Sequence, residues 1–400
     1  MKRVRFGLLL LVVVLTLQLA WYAVLMASYV RTPGKLEGAD FLFYYSVGRV
    51  AHDHGLGAVY NLDLESAAQT EVTGLPVGAQ QFFLPNHPPF LYPVALLFSY
   101  LDYRPAYLGF AAFLFLLAAA GLPSLGSVLK QNGWPRAQVF VTLAGVLLFE
   151  PLFISVLKGQ DTALLLLGGL LWFSGLMRKD DRLAGLGLSL TLIRPQVALL
   201  LAVPFLFRRR KVFSWFMVGA TALGLYSFLQ VGWTGMIDYL HILTLSAAGE
   251  GYGMSESAMF DFTGLLLRLD PRVDTSLANT IGWGLFIAVL VGLCALWGLS
   301  KSIGYRHIAL AVTLSLFTAP HLHYHDLALL AIPLVGLGIA GVMTGRLTVP
   351  RAAALPMAAS VFLLFSEFWD PARFTVPYFL MAVIPALTWL AETRYSGSVG

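Results

Sequence analysis

Charge is scarce in this 400-residue chain: Asp, Glu, Lys and Arg make up 12% of it against 58% hydrophobic residues, and mean hydropathy is +0.76. So little polar surface cannot solvate a water-soluble protein of this size, and the chain reads as an all-α polytopic membrane protein. Cysteine is nearly absent. The single Cys294 falls in an apolar segment, which leaves no basis for a disulfide framework or a cysteine metal site. There is no Walker loop, dinucleotide fingerprint or soluble nucleotide-binding region, which argues against an ATP-driven pump; no cofactor and no nucleic-acid partner are expected.

What the chain has is long apolar runs. Residues 6–29, behind Lys2, Arg3 and Arg5, outrun the roughly 7–15 residues of a signal-peptide core and predict a retained anchor. Later basic clusters are Lys130 with Arg136, Arg178-Lys179 with Arg182, Arg208 to Lys211, Lys301 with Arg306, Arg346 with Arg351, and Arg394. The positive-inside rule puts them and both termini in the cytoplasm of a cell (inner or plasma) membrane, with only Asp180, Asp181 and Glu392 among the 21 acids beside them. Spans are predicted at 6–29, 106–129, 137–157, 161–177, 212–232, 275–300, 307–320, 326–343, 352–368 and 375–391. The apolar run Pro88 to Leu101 is too short for a simple crossing and reads as re-entrant or interfacial.

Segment 183–207 has basic clusters at both ends and Arg194-Pro195 at its centre, so it reads as a hairpin whose tip stops inside the membrane. Its two arms bring the expected count to about 12 transmembrane helices in a single membrane domain. Arg194 at that depth would cost on the order of 2.5–3.5 kcal/mol unless it faced a wet cleft or an anion.

On this topology the chemistry gathers at the outer face, where seven of the eight histidines fall, all but His307. The first outer loop, within 31–105, carries Asp40, Tyr44 and Tyr45, with short interfacial helices expected at Phe41 to Val50 and Leu62 to Val72. The second, 233–274, offers Tyr239, His241, Glu250, Tyr252, Glu256 and Asp261 for a polar substrate, and its glycines suggest mobility. Helix ends add Asn86-His87-Pro88-Pro89, Lys158-Gly159-Gln160-Asp161 and the stretch Pro320 to Asp326 with His321, His323 and His325. Alternating histidines invite a metal reading, but hydrogen bonding to a sugar or phosphate serves as well, and no metal is assigned. Asp40 and Asp161 each precede an apolar run, where a plain helix N-cap is the competing explanation.

Together Gly38-Ala39-Asp40-Phe41 to Tyr45, Pro88-Pro89-Phe90, Gly159-Gln160, Arg194-Pro195-Gln196 followed by Arg208 to Lys211, and Pro320 to Leu327 resemble glycosyltransferase family 87. The resemblance implies a GT-C fold, a polyprenyl-phosphate-linked sugar donor of the mannosyltransferase kind, and a lipid or glycan acceptor. It implies Asp40 as general base, a hairpin cation, often Lys in the family, where this chain has Arg194, and a match at Asp326, whereas His321, His323 and His325 stand where many relatives have other residues. With the outer-face reading, Arg194, Gln196 and Gln160 are expected at the donor phosphate and Tyr44, Tyr45, His87, His321, His325 and Asp326 at the substrates. The competing classes are a lipid-linked-sugar transporter or flippase, with Arg194 and the histidines guiding a headgroup, and a non-catalytic glycolipid-binding protein.

Overall fold

A computed structural model describes residues 2–32, 34–37, 39–74, 83–247, 256–366, 368–369 and 375–393. Gly38, Glu250, Tyr252 and Arg394, which the sequence singled out, lie outside them. Every regular element among the described residues is helical, as a lipid-embedded backbone requires when no water can satisfy its N–H and C=O groups.

The chain begins with α1 (Lys2–Arg31), α2 (Phe41–His54), α3 (Leu62–Thr73), α4 (Tyr92–Phe98), α5 (Tyr103–Ala120) and α6 (Leu122–Gln131). A bent pair follows, α7 (Arg136–Leu147) and α8 (Glu150–Lys158), then α9 (Thr162–Met177) and the short α10 (Asp181–Leu190) and α11 (Pro195–Ala202). The remainder is α12 (Arg210–Ala247), α13 (Phe262–Leu269), α14 (Thr275–Leu299), α15 (Tyr305–Thr318), α16 (Ala331–Met343), α17 (Val349–Ala353), α18 (Leu355–Ser366) and α19 (Thr375–Thr393).

Six helical stretches among the described residues are long and apolar enough to cross a membrane, Val13–Arg31, Tyr103–Gln131, Arg210–Ser246, Thr275–Leu299, Tyr324–Met343 and Thr375–Glu392. The α7–α8 pair, bent by 43°, makes a seventh if taken as one span. The protein is therefore a polytopic α-helical membrane protein, but length and apolarity do not yield the expected count of about 12. Several apolar helices are too short, and the 16 residues of α9 reach only about 24 Å against roughly 30 Å of hydrocarbon. Of these, α9 is central, buried almost all round, while Leu17, Leu116, Leu229, Val291 and Phe379 on the longer helices are exposed.

Segment 181–209 doubles back. Helix α10 runs antiparallel to α9 and Arg194 marks the break before α11; the chain then returns until Arg209 Nε lies 3.0 Å from Asp181 Oδ1. Gly187 has no room for a side chain against the backbone of Trp172, which lets α10 lie directly on α9.

Two expectations are corrected here. Helix α2 lacks the open apolar face expected of an interfacial helix: Phe41 to Gly48 are all buried within the protein. The second loop is also shorter than expected, because helix resumes past Gly232 (φ 69°) and continues to Ala247. Ile242, buried, and Leu243 and Leu245, partly buried, give the continuation a face to pack. Tyr239 and His241 are thus helical residues.

Candidate active site

The polar residues converge where helices stop. The start of α2, the turn before Pro88, the α8–α9 junction, the Arg194 break and the stretch 320–325 surround a cavity of about 1040 Å³. Asp40, His87, Lys158, Gln160, Arg194, Gln196, His321, His323 and His325 line it, with Tyr29, Phe43, Tyr239, Phe260 and Trp283 among its aromatic walls.

Gly159 explains how two of these elements meet. Its φ of 75° ends α8 in a left-handed cap, and a Cβ there would stand 2.6 Å from that of Phe41. Any larger residue would push α8 away from α2. Lys158 and Gln160 are thereby seated beside the Asp40–Phe41 step.

Arg194 is buried at the hairpin tip between two carboxylates. Its Nη2 lies 3.0 Å from Asp161 Oδ1 and its Nε 3.3 Å from Asp326 Oδ1. Nη2 also donates to Gln160 Oε1 at 3.4 Å and Nη1 to the Ile193 carbonyl at 3.3 Å. The carboxylates are tied down in turn. Tyr44 donates to Asp161 Oδ2 at 2.6 Å, and Asp326 accepts from the Thr162 hydroxyl at 3.1 Å and the His323 amide at 3.2 Å. A buried charge needs this kind of partnering, and the cluster carries one negative charge more than positive.

His87 Nε2 stands 3.3 Å from Asp161 Oδ2. Burial nevertheless pushes the imidazole down to about 4, so the ring is neutral at pH 7. Gln196 donates to the Pro320 carbonyl at 2.9 Å and ties the hairpin to the late stretch. His321 has a left-handed φ of 59°; its amide donates to Asp261 Oδ2 at 2.9 Å. Burial also pushes its ring down to about 4. His323 and His325 stack with centroids 5.5 Å apart. Among the described residues, no three His, Cys, Asp or Glu side chains converge on a point that could hold a metal ion.

Asp40 differs from the other acids. It is half-buried and sits at the N-cap of α2, yet its side chain makes no capping hydrogen bond and has no ion-pair partner among the described residues. The cap explanation fails for Asp161 as well, whose carboxylate serves Tyr44 and Arg194. Of the expected site residues, Asp40, Gln160, Arg194, Gln196, His87, His321 and His325 line the cavity, while Tyr44 and Asp326 stand behind it as supports. Tyr45 is elsewhere: its hydroxyl donates to the Leu101 carbonyl at 2.9 Å and its ring meets Tyr103 edge-on, because consecutive helical residues point about 100° apart. The sequence reading assigned no role to Lys158, nor to Asp161 beyond a cap. A lone acid opening an apolar helix, as at Asp40, was the one signal available for Asp161.

No curated protein sequence matches the chain. The family model for glycosyltransferase family 87 matches residues 83–320, which takes in the His87 turn, the α8–α9 junction and the hairpin but stops short of Asp40 at one end and of the histidine stretch at the other. With more than half of its length matched, this chain belongs to glycosyltransferase family 87, a family of membrane glycosyltransferases.

Proposed function

We propose that the protein has the GT-C architecture and transfers a hexose such as mannose from a polyprenyl-phosphate donor to a lipid or glycan acceptor at the outer face of the cell membrane, with inversion. One observation carries this reading. Asp40 is the acid facing the cavity whose carboxylate is committed to no partner among the described residues, so it is available to accept a proton. In the proposed step the acceptor hydroxyl gives its proton to Asp40 and its oxygen bonds the anomeric carbon. The bond from that carbon to the phosphate oxygen breaks, and polyprenyl phosphate leaves with the electron pair.

The apolar and aromatic walls suit a donor delivered within the membrane, and the buried Arg194 cluster gives the cavity a rigid floor against which the reactants are oriented. Tyr44, Thr162 and the His323 amide hold that floor. The test is sugar transfer by purified protein in detergent, offered labelled polyprenyl-phosphate sugars and nucleotide sugars with a membrane-lipid extract as acceptor. Product from the lipid-linked donors alone is expected. Turnover only with nucleotide sugars would overturn the donor class.

A further inference from the structure

Resting on that reading, the charges in the cavity do not match the simplest assignment of the donor phosphate. Two cationic side chains line the cavity among the described residues, Arg194 and Lys158. Arg194 is already bound by Asp161 and Asp326, so its neighbourhood is net negative. During transfer the phosphodiester, with one negative charge, becomes a monoester with up to two. An anion whose charge grows would be repelled by that cluster.

Lys158 is in the opposite situation. It ends α8, is exposed and lines the cavity, and its side chain makes no hydrogen bond or ion pair among the described residues. It lies within electrostatic reach of His323 and His325. It shares the cavity wall with Asp40, and its neighbour Gly159 packs on Phe41. Two residues on, Gln160 spends its side-chain carbonyl oxygen on Arg194, and its amide N–H groups have no partner among the described residues. A flexible ammonium and an amide donor on one cavity wall are the groups that bind an anion.

We infer that Lys158, with Gln160, binds the phosphate of the polyprenyl-phosphate headgroup and meets the charge that develops on it as the sugar leaves, while Arg194 serves as the structural counter-ion of Asp161 and Asp326.

The test is binding of undecaprenyl phosphate and of undecaprenol to the full-length protein in nanodiscs, for wild type, Lys158→Met and Lys158→Arg, with unfolding temperatures measured alongside. Lys158→Met should lose about tenfold or more in affinity for the phosphate and keep its affinity for the alcohol, while Lys158→Arg stays near wild type. Inorganic phosphate at millimolar concentration should not displace the lipid; displacement would place the ligand in the aqueous pool and contradict a lipid source. If wild type prefers the phosphate and Lys158→Met does so equally, the assignment to Lys158 falls alone. If wild type shows no preference for phosphate over alcohol, the donor class falls and takes this subsite with it.

Discussion

Arg194 lies 3.0 Å from Asp161, a residue 33 positions earlier in the chain, and this ion pair fastens the tip of the α10–α11 hairpin to the start of α9. With Asp326 on its other side, Arg194 closes a buried cluster that no single stretch of sequence contains.

Removing Arg194 would strand two buried carboxylates, so Arg194→Ala should cost about 3–5 kcal/mol. A large fall in unfolding temperature in detergent, together with poor recovery of folded protein, is the expected outcome. A normally stable variant with only a raised KM would show that the arginine acts on substrate and not as a counter-ion.

Tyr44 does not line the large cavity, yet its hydroxyl donates the 2.6 Å bond to Asp161. Tyr44→Phe removes one charge-assisted hydrogen bond and should destabilise the protein by roughly 1.5–3 kcal/mol. Thermal unfolding of the variant measures this directly, and an unchanged midpoint would mean the bond is not made.

Gly159 and Gly345 both have positive φ, 75° and 70°, but only Gly159 abuts another chain segment. Gly345→Ala should therefore cost on the order of 1 kcal/mol of backbone strain, and Gly159→Ala distinctly more, with lost transfer activity as α8 is driven from α2. Equal penalties at the two positions would show that the Phe41 contact contributes nothing.

Asp261 gives a pH test. Burial pushes its carboxyl up to about 6, so the folded protein holds this proton more tightly than the unfolded chain does. The resulting stabilisation, roughly 3 kcal/mol, is full below about pH 4 and is lost as pH rises through about 6. Wild type should lose stability over that interval relative to Asp261→Asn, which cannot titrate. A relative gain in wild-type stability would reverse the sign and refute the burial argument.

Much of this site was legible in the sequence, for identifiable reasons. An isolated Asp40 after an apolar span and an Arg194-Pro195 in mid-hairpin stand out because membrane segments tolerate so few charges. The role of Asp161 did not stand out, since a cap and an ion-pair partner look alike until the distance to Arg194 is known. Tyr44 and Tyr45 are adjacent, and only packing reveals that one turns to Asp161 and the other to Leu101. The second loop was misjudged because Gly232 and the later glycines suggest a break, whereas the apolar residues beyond it resume the helix. Length and apolarity account for only part of the expected spans, because α9 and other apolar helices of 10–17 residues are shorter than the hydrocarbon layer is thick.

The most direct test of the proposed chemistry is sugar transfer from polyprenyl-phosphate donors by wild type and Asp40→Asn, with the unfolding temperature of each recorded. The account predicts a loss of about 10²–10⁴-fold in turnover at an unchanged unfolding temperature, because the Asp40 side chain makes no hydrogen bond or ion pair for the substitution to break among the described residues. Turnover retained in the folded Asn variant would contradict Asp40 as the base.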